Sequence, residues 1–112
     1  MLNKNDVSPA APLKLYKLMY LVLSIAYRRL KDNAGALRNL TSAVLRYPKF
    51  MEAYLARGQI FLAEKKYDKA LSDFRSVINL NQNSGVGYIG QGDALKHIGN
   101  EELALQSFTY AL

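Results

Sequence analysis

Large apolar side chains recur along most of this chain at spacings of three and four, the period of a helix with one face in a core. The pattern predicts six helices, over about residues 13–30, 33–46, 51–64, 67–80, 85–98 and 101–112. Short polar breaks separate them in pairs: Lys31-Asp32-Asn33, Glu64-Lys65-Lys66 and Gly99-Asn100. Pro48 and the polar run Asn81-Gln82-Asn83-Ser84 are credible stops between one pair and the next. No stretch alternates with a period of two over a useful length, so no strands are expected.

The pairs repeat. Shifted by 34 residues, the chain lies over itself with Tyr20, Tyr54 and Tyr88 in line, then Ser24, Gly58 and Gly92, then Tyr27, Phe61 and Leu95. Ala36, Ala70 and Ala104 follow, then Leu40, Phe74 and Phe108, then Ala43, Val77 and Ala111. Three units result, at about 17–50, 51–84 and 85–112, the last one short. Antiparallel helices approach closely where both offer small side chains. The expected contacts are Ser24 with Ala36, Gly58 with Ala70 and Gly92 with Ala104, with large residues filling the space on either side. One pair cannot bury its apolar face alone, so the units must stack.

This pattern resembles the tetratricopeptide repeat, over about residues 13–112. The second unit matches best, through Tyr54, Gly58, Phe61, Ala70, Phe74 and Val77. The first adds Pro48 but has Ser24 in place of glycine; the third has Gln91 where leucine is preferred and lacks the final turn. The resemblance implies an all-α, right-handed α-α superhelix, a solenoid of three antiparallel helix pairs with the first helices on the concave side. It also implies a scaffold or adaptor that binds peptides or other proteins.

In that family the groove is lined by set positions of the first helices. Here they hold Leu21, Ile25, Arg28 and Arg29 in the first unit, Leu55, Gln59, Leu62 and Ala63 in the second, and Ile89, Asp93, Lys96 and His97 in the third. Leu21, Leu55 and Ile89 form an aliphatic row, which Leu18, Val22 and Ile25 widen at its start. Relatives that grip acidic chaperone tails use a polar and basic clamp. Its positions fall on Leu21, Ile25, Ala56, Val86 and Gly90, none of which carries the needed group. The expected partner is therefore a protein or peptide segment, apolar or amphipathic, laid in the groove as a helix. Self-association through the groove or the C-terminal end is the alternative. RNA binding through the basic first unit is a weaker one, since RNA-reading repeats need polar side chains at matched positions.

Composition adjusts this picture in a few places. A chain of 112 residues, half of them hydrophobic, suits one small domain. Pro9 and Pro12 disfavour a further helix ahead of the first unit, so residues 1–11 read as a lead-in and 12–112 as the repeat domain. Leu112 falls inside the last predicted helix with no polar capping helix after it, so the expectation is a piece of a longer protein or an end covered by another chain. The net charge of +6 sits in the first half: residues 1–50 hold nine lysines and arginines against Asp6 and Asp32. There is no cysteine, which removes disulfides, thiolate metal sites and cysteine nucleophiles and suits a cytoplasmic setting. The uncharged run Leu18–Tyr27 is half the length of a bilayer span.

Candidate chemistry is thin. His97 is the only histidine and Asp93 lies one helical turn before it, which reads as a surface pair because no motif places a nucleophile. Gly85, Gly87, Gly90 and Gly92 follow a helix and lack a Lys-Ser/Thr, so they are not a phosphate loop. Most tyrosines occupy repeat core positions. No catalytic residue, metal site or cofactor is expected.

Overall fold

In the computed structural model the backbone is described from Ala10 to Leu112 and side chains from Leu13 onward; of the lead-in expected over residues 1–11, residues 1–9 lie outside the described residues. Six helices follow one another: α1 Ala10–Arg29, α2 Asn33–Arg46, α3 Met51–Ala63, α4 Tyr67–Leu80, α5 Gly85–Ile98 and α6 Glu101–Ala111. α1 starts slightly ahead of the expected Leu13 and takes in Ala10 and Ala11. Pro12 is tolerated there because the first four N–H groups of a helix have no partner inside it.

The breaks within the pairs share one construction. Lys31, Lys65 and Gly99 occupy the same place in the three units, and all three adopt left-handed backbone angles, with φ of 59°, 62° and 99°. Such a residue turns the chain out of a helix while its neighbours satisfy the last carbonyls. The Gly99 N–H reaches the Leu95 and Lys96 carbonyls, and the Asn100 N–H reaches that of Leu95. The next helix then starts on a capped turn in two of three cases. The Asp32 side chain accepts from the Gly35 N–H at 2.8 Å and that of Asn100 from the Leu103 N–H at 3.3 Å. Between units, Ser84 caps α5 by accepting from the Gly87 N–H at 3.1 Å.

Each helix packs against the next one in sequence, so the chain is an all-α solenoid of three antiparallel pairs, 59 × 30 × 19 Å overall. One core gathers Ala36, Leu40, Ala43, Phe50, Ala53 and Ile60 between the first and second units. A second gathers Ala70, Leu71, Phe74, Ala94, Leu95 and Ala104 between the second and third.

At Gly58, Gly90 and Gly92 the nearest neighbours are large side chains of the second helices. The space a methyl would need on Gly58 is filled by Phe74 and Asp73, at 3.1 and 3.2 Å, and that on Gly92 by the Phe108 ring, at 2.6 Å. A methyl on Gly90, in the next unit, would also run into the Phe74 ring. Phe74 therefore lies between a glycine of its own unit and one of the following unit. These glycines make room for a ring.

A candidate partner-binding groove

Curvature decides which helices line the groove. α1 touches α3 and α3 touches α5, whereas α2, α4 and α6 do not touch one another. The first helices are thus crowded on the inner side and the second helices spread on the outer side. This places α1, α3 and α5 along the concave surface.

Along that surface, Leu18, Ile25 and Ile89 are exposed apolar side chains. Leu21 is half-buried against the first core, and Leu55 and Leu62 are half-buried against the second. The aliphatic row therefore combines groove wall with free surface: Leu21 and Leu55 are partly spent on the fold, while Ile25 and Ile89 are not. Arg28, Arg29, Gln59 and Lys96 are exposed and Asp93 is half-buried. Val22 is exposed but stands in register with Ala56 and Gly90, the positions that meet the preceding second helix. It belongs to that face more than to the groove.

The third-unit end carries His97 beside Asp93. The His97 Nδ1–H donates to the Asp93 backbone carbonyl at 2.9 Å, with the Asp93 carboxylate 3.5 Å away, and the imidazole stacks on Tyr67 at 4.6 Å between ring centres. His97 is exposed and Asp93 half-buried, and the ring's contacts are those of a packed surface histidine. Among the described residues no three histidine or carboxylate side chains gather at one point, and no helix is long and apolar enough to cross a membrane.

The fold also holds a polar element that helical patterning passed over. Arg57 in α3 binds Asp73 in α4 through two parallel bonds, Nε to Oδ2 at 2.9 Å and Nη2 to Oδ1 at 2.7 Å. Its Nη1 donates to Thr41 Oγ1 in α2 at 3.3 Å, so one guanidinium ties the first unit to the second. The hydrogen bonds to Asp73 raise the Arg57 pKa above its ordinary value, against the opposing effect of burial. The same places in the third unit hold Gln91 and Ser107, joined at 2.9 Å. In the first unit they hold Leu23 and Asn39, and Asn39 donates instead to the Tyr20 carbonyl at 2.7 Å. A shared spacing of sixteen residues between polar partners, 57 to 73 and 91 to 107, was the available signal.

Comparison with known proteins agrees with this architecture. A family model described as the tetratricopeptide repeat matches residues 52–84. A crystal structure of MamA superimposes with a TM-score of 0.80 at 21% identity, covering 85% of this chain and 56% of that one. A second crystal structure of MamA protein gives a TM-score of 0.80 at 22% identity, covering 86% of this chain and 52% of that one. The chain thus spans about half the length of the solved structures it matches. No curated protein sequence matches.

Proposed function

We propose that this chain, an array of tandem tetratricopeptide repeats, is a non-catalytic protein-interaction scaffold whose concave groove takes an apolar or amphipathic helical segment of a partner. The observation that carries the reading is the exposed aliphatic surface of Leu18, Ile25 and Ile89 on the inner helices. Such side chains bury to advantage against a partner, at about 1.5–3 kcal/mol for a fully covered isoleucine or leucine. Arg28, Arg29 and Lys96 at the rim add a preference for acidic residues flanking the apolar face. Absence of cysteine suits a reducing, cytoplasmic setting.

Leu55 is a poor place to test this, because its half-buried side chain also supports the second core. Ile25→Asp and Ile89→Asp, at exposed positions, remove groove surface without touching the fold. Each is expected to weaken partner binding at least about tenfold, the equivalent of 1.4 kcal/mol, with far-UV circular dichroism unchanged. Binding indifferent to both substitutions would remove the groove from consideration.

A further inference from the structure

Antiparallel pairing puts the three turns within the pairs at one edge of the array and the loops between units at the other. The turns are Leu30-Lys31-Asp32, Glu64-Lys65-Lys66 and Gly99-Asn100. The second and third stand side by side: a hollow of about 430 Å³ is lined by Lys65, Lys66, Tyr67, Asp68, Lys69 and Ile98.

The two edges differ in chemistry. The loops, over residues 47–50 and 81–84, carry Lys49 as their only charge, and their Phe50 and Ser84 are buried. At the first turn, by contrast, Leu30 is 78% exposed and belongs to neither core. Arg28, Arg29 and Lys31 flank it, all exposed. The acid beside them, Asp32, has its carboxylate engaged as a cap, 2.8 Å from the Gly35 N–H. In the third unit the place of Leu30 is taken by Ile98, 44% exposed, and in the second by Glu64, which pairs with Lys66 at 3.4 Å.

Lysine at the tips is not what the backbone favours. Lys31 and Lys65 hold left-handed angles that glycine adopts more readily, as Gly99 does in the third unit. The cationic character also falls along the edge. The first turn sets Arg28, Arg29 and Lys31 against Asp32; the second sets Lys65, Lys66 and Lys69 against Glu64 and Asp68; the third sets Lys96 and His97 against Asp93, Glu101 and Glu102.

An aliphatic side chain on a projecting turn, flanked by cations, suits a partner with an anionic layer over an apolar one. A bilayer containing acidic lipids has that order. RNA would engage the cations and leave the leucine in water, and a peptide helix finds no groove at a projecting turn. We propose that the turn edge docks on an anionic bilayer surface. Leu30 enters the boundary between headgroups and acyl chains, and Arg28, Arg29, Lys31, Lys65 and Lys69 face the acidic headgroups. The fall in charge tilts the array so that its first unit lies nearest the lipid.

Vesicle co-sedimentation of the full chain tests this. Phosphatidylcholine vesicles with about one-third phosphatidylserine are expected to take down the wild-type protein, less so as salt rises, whereas pure phosphatidylcholine vesicles are not. Arg28→Gln/Arg29→Gln is expected to weaken the partition at least about tenfold, and Leu30→Ser to weaken it as well. Lys14→Gln/Lys49→Gln removes the same charge at the opposite edge and should change it by less than about threefold. The chain has no tryptophan, so Leu30→Trp places a fluorophore at the tip. Its emission is expected to shift to the blue on the anionic vesicles, while that of Leu45→Trp, at a position 77% exposed on α2, stays in place. Circular dichroism identifies which variants are folded; every substituted position is exposed. Absence of wild-type partition, equal partition on neutral vesicles, equal losses from the two charge pairs, or an unmoved Leu30→Trp emission overturns the inference. So does retention on homopolymeric RNA that Leu30→Ser leaves intact while the vesicles take down nothing.

Discussion

Replacing Gly90 with alanine adds one methyl group between α4 and α5, at the point where the second unit locks to the third. The methyl meets the ring of Phe74, which is 1% exposed. Retreat is limited, because the same buried ring also packs beside Gly58, where a methyl would find it at 3.1 Å. Overpacking of this kind costs about 1–3 kcal/mol, and a fully buried ring close to glycines of two units belongs in the upper part of that range. Alanine in a helix recovers about 1 kcal/mol relative to glycine. The net expectation is a loss of about 1–2 kcal/mol. Gly92→Ala is the control. Its methyl would approach Phe108 to 2.6 Å, but that ring is half-buried and can swing toward solvent. Relief and helix gain should cancel to within about 0.5 kcal/mol. Urea unfolding followed at 222 nm separates the two. With a slope of about 1–2 kcal/mol per molar, Gly90→Ala should lower the midpoint by about 1 M and Gly92→Ala should leave it in place. A Gly90→Ala protein as stable as Gly92→Ala would refute the idea that Phe74 is pinned between two units.

Two further expectations concern stability. Arg57→Met leaves the buried Asp73 carboxylate without its partner and should cost about 3 kcal/mol, while Arg57→Met/Asp73→Leu should recover most of it; a double-mutant cycle in urea reads the difference. Lys65 and Gly99 share a left-handed turn position, so Gly99→Ala should cost about 1 kcal/mol and Lys65→Gly should stabilise by about 0.5 kcal/mol, both seen as shifts of the thermal midpoint.

Most of the helical architecture was legible because it rests on short-range rules. Apolar spacing located α2, α4 and α5 at both ends, and Gly99, Asn100 and Ser84 act at the breaks as their chemistry dictates. The 34-residue register identified which residues are equivalent. It did not show what each one touches. Gly58 and Ala70 read as a small–small contact because both are small, and that reading did not show that Gly58 also makes room for the large Phe74. Only three-dimensional packing shows that the ring enters from the second helix, and that Gly90 shares it. Arg57 escaped notice for a related reason: a lone arginine in an apolar helix looks like surface until Asp73 and Thr41 are brought beside it. The groove was legible as a row of aliphatic positions. How far each is already used by the core depends on helix rotation, which periodicity fixes only roughly. Hence Ile25 and Ile89 are free whereas Leu21 and Leu55 are half spent.

The central claim is that the inner surface of the array is where a partner binds. Photo-crosslinking side chains placed singly on the inner helices, at Ile25, Gln59 and Ile89, and on the outer helices, at Arg38, Ser72 and Gln106, test it most directly, since all six positions are exposed. The account predicts one common adduct from the inner positions, absent from the outer ones and lost on adding Ile25→Asp to the Ile89-labelled protein. The same adduct from the outer positions, or from the outer positions alone, would contradict it.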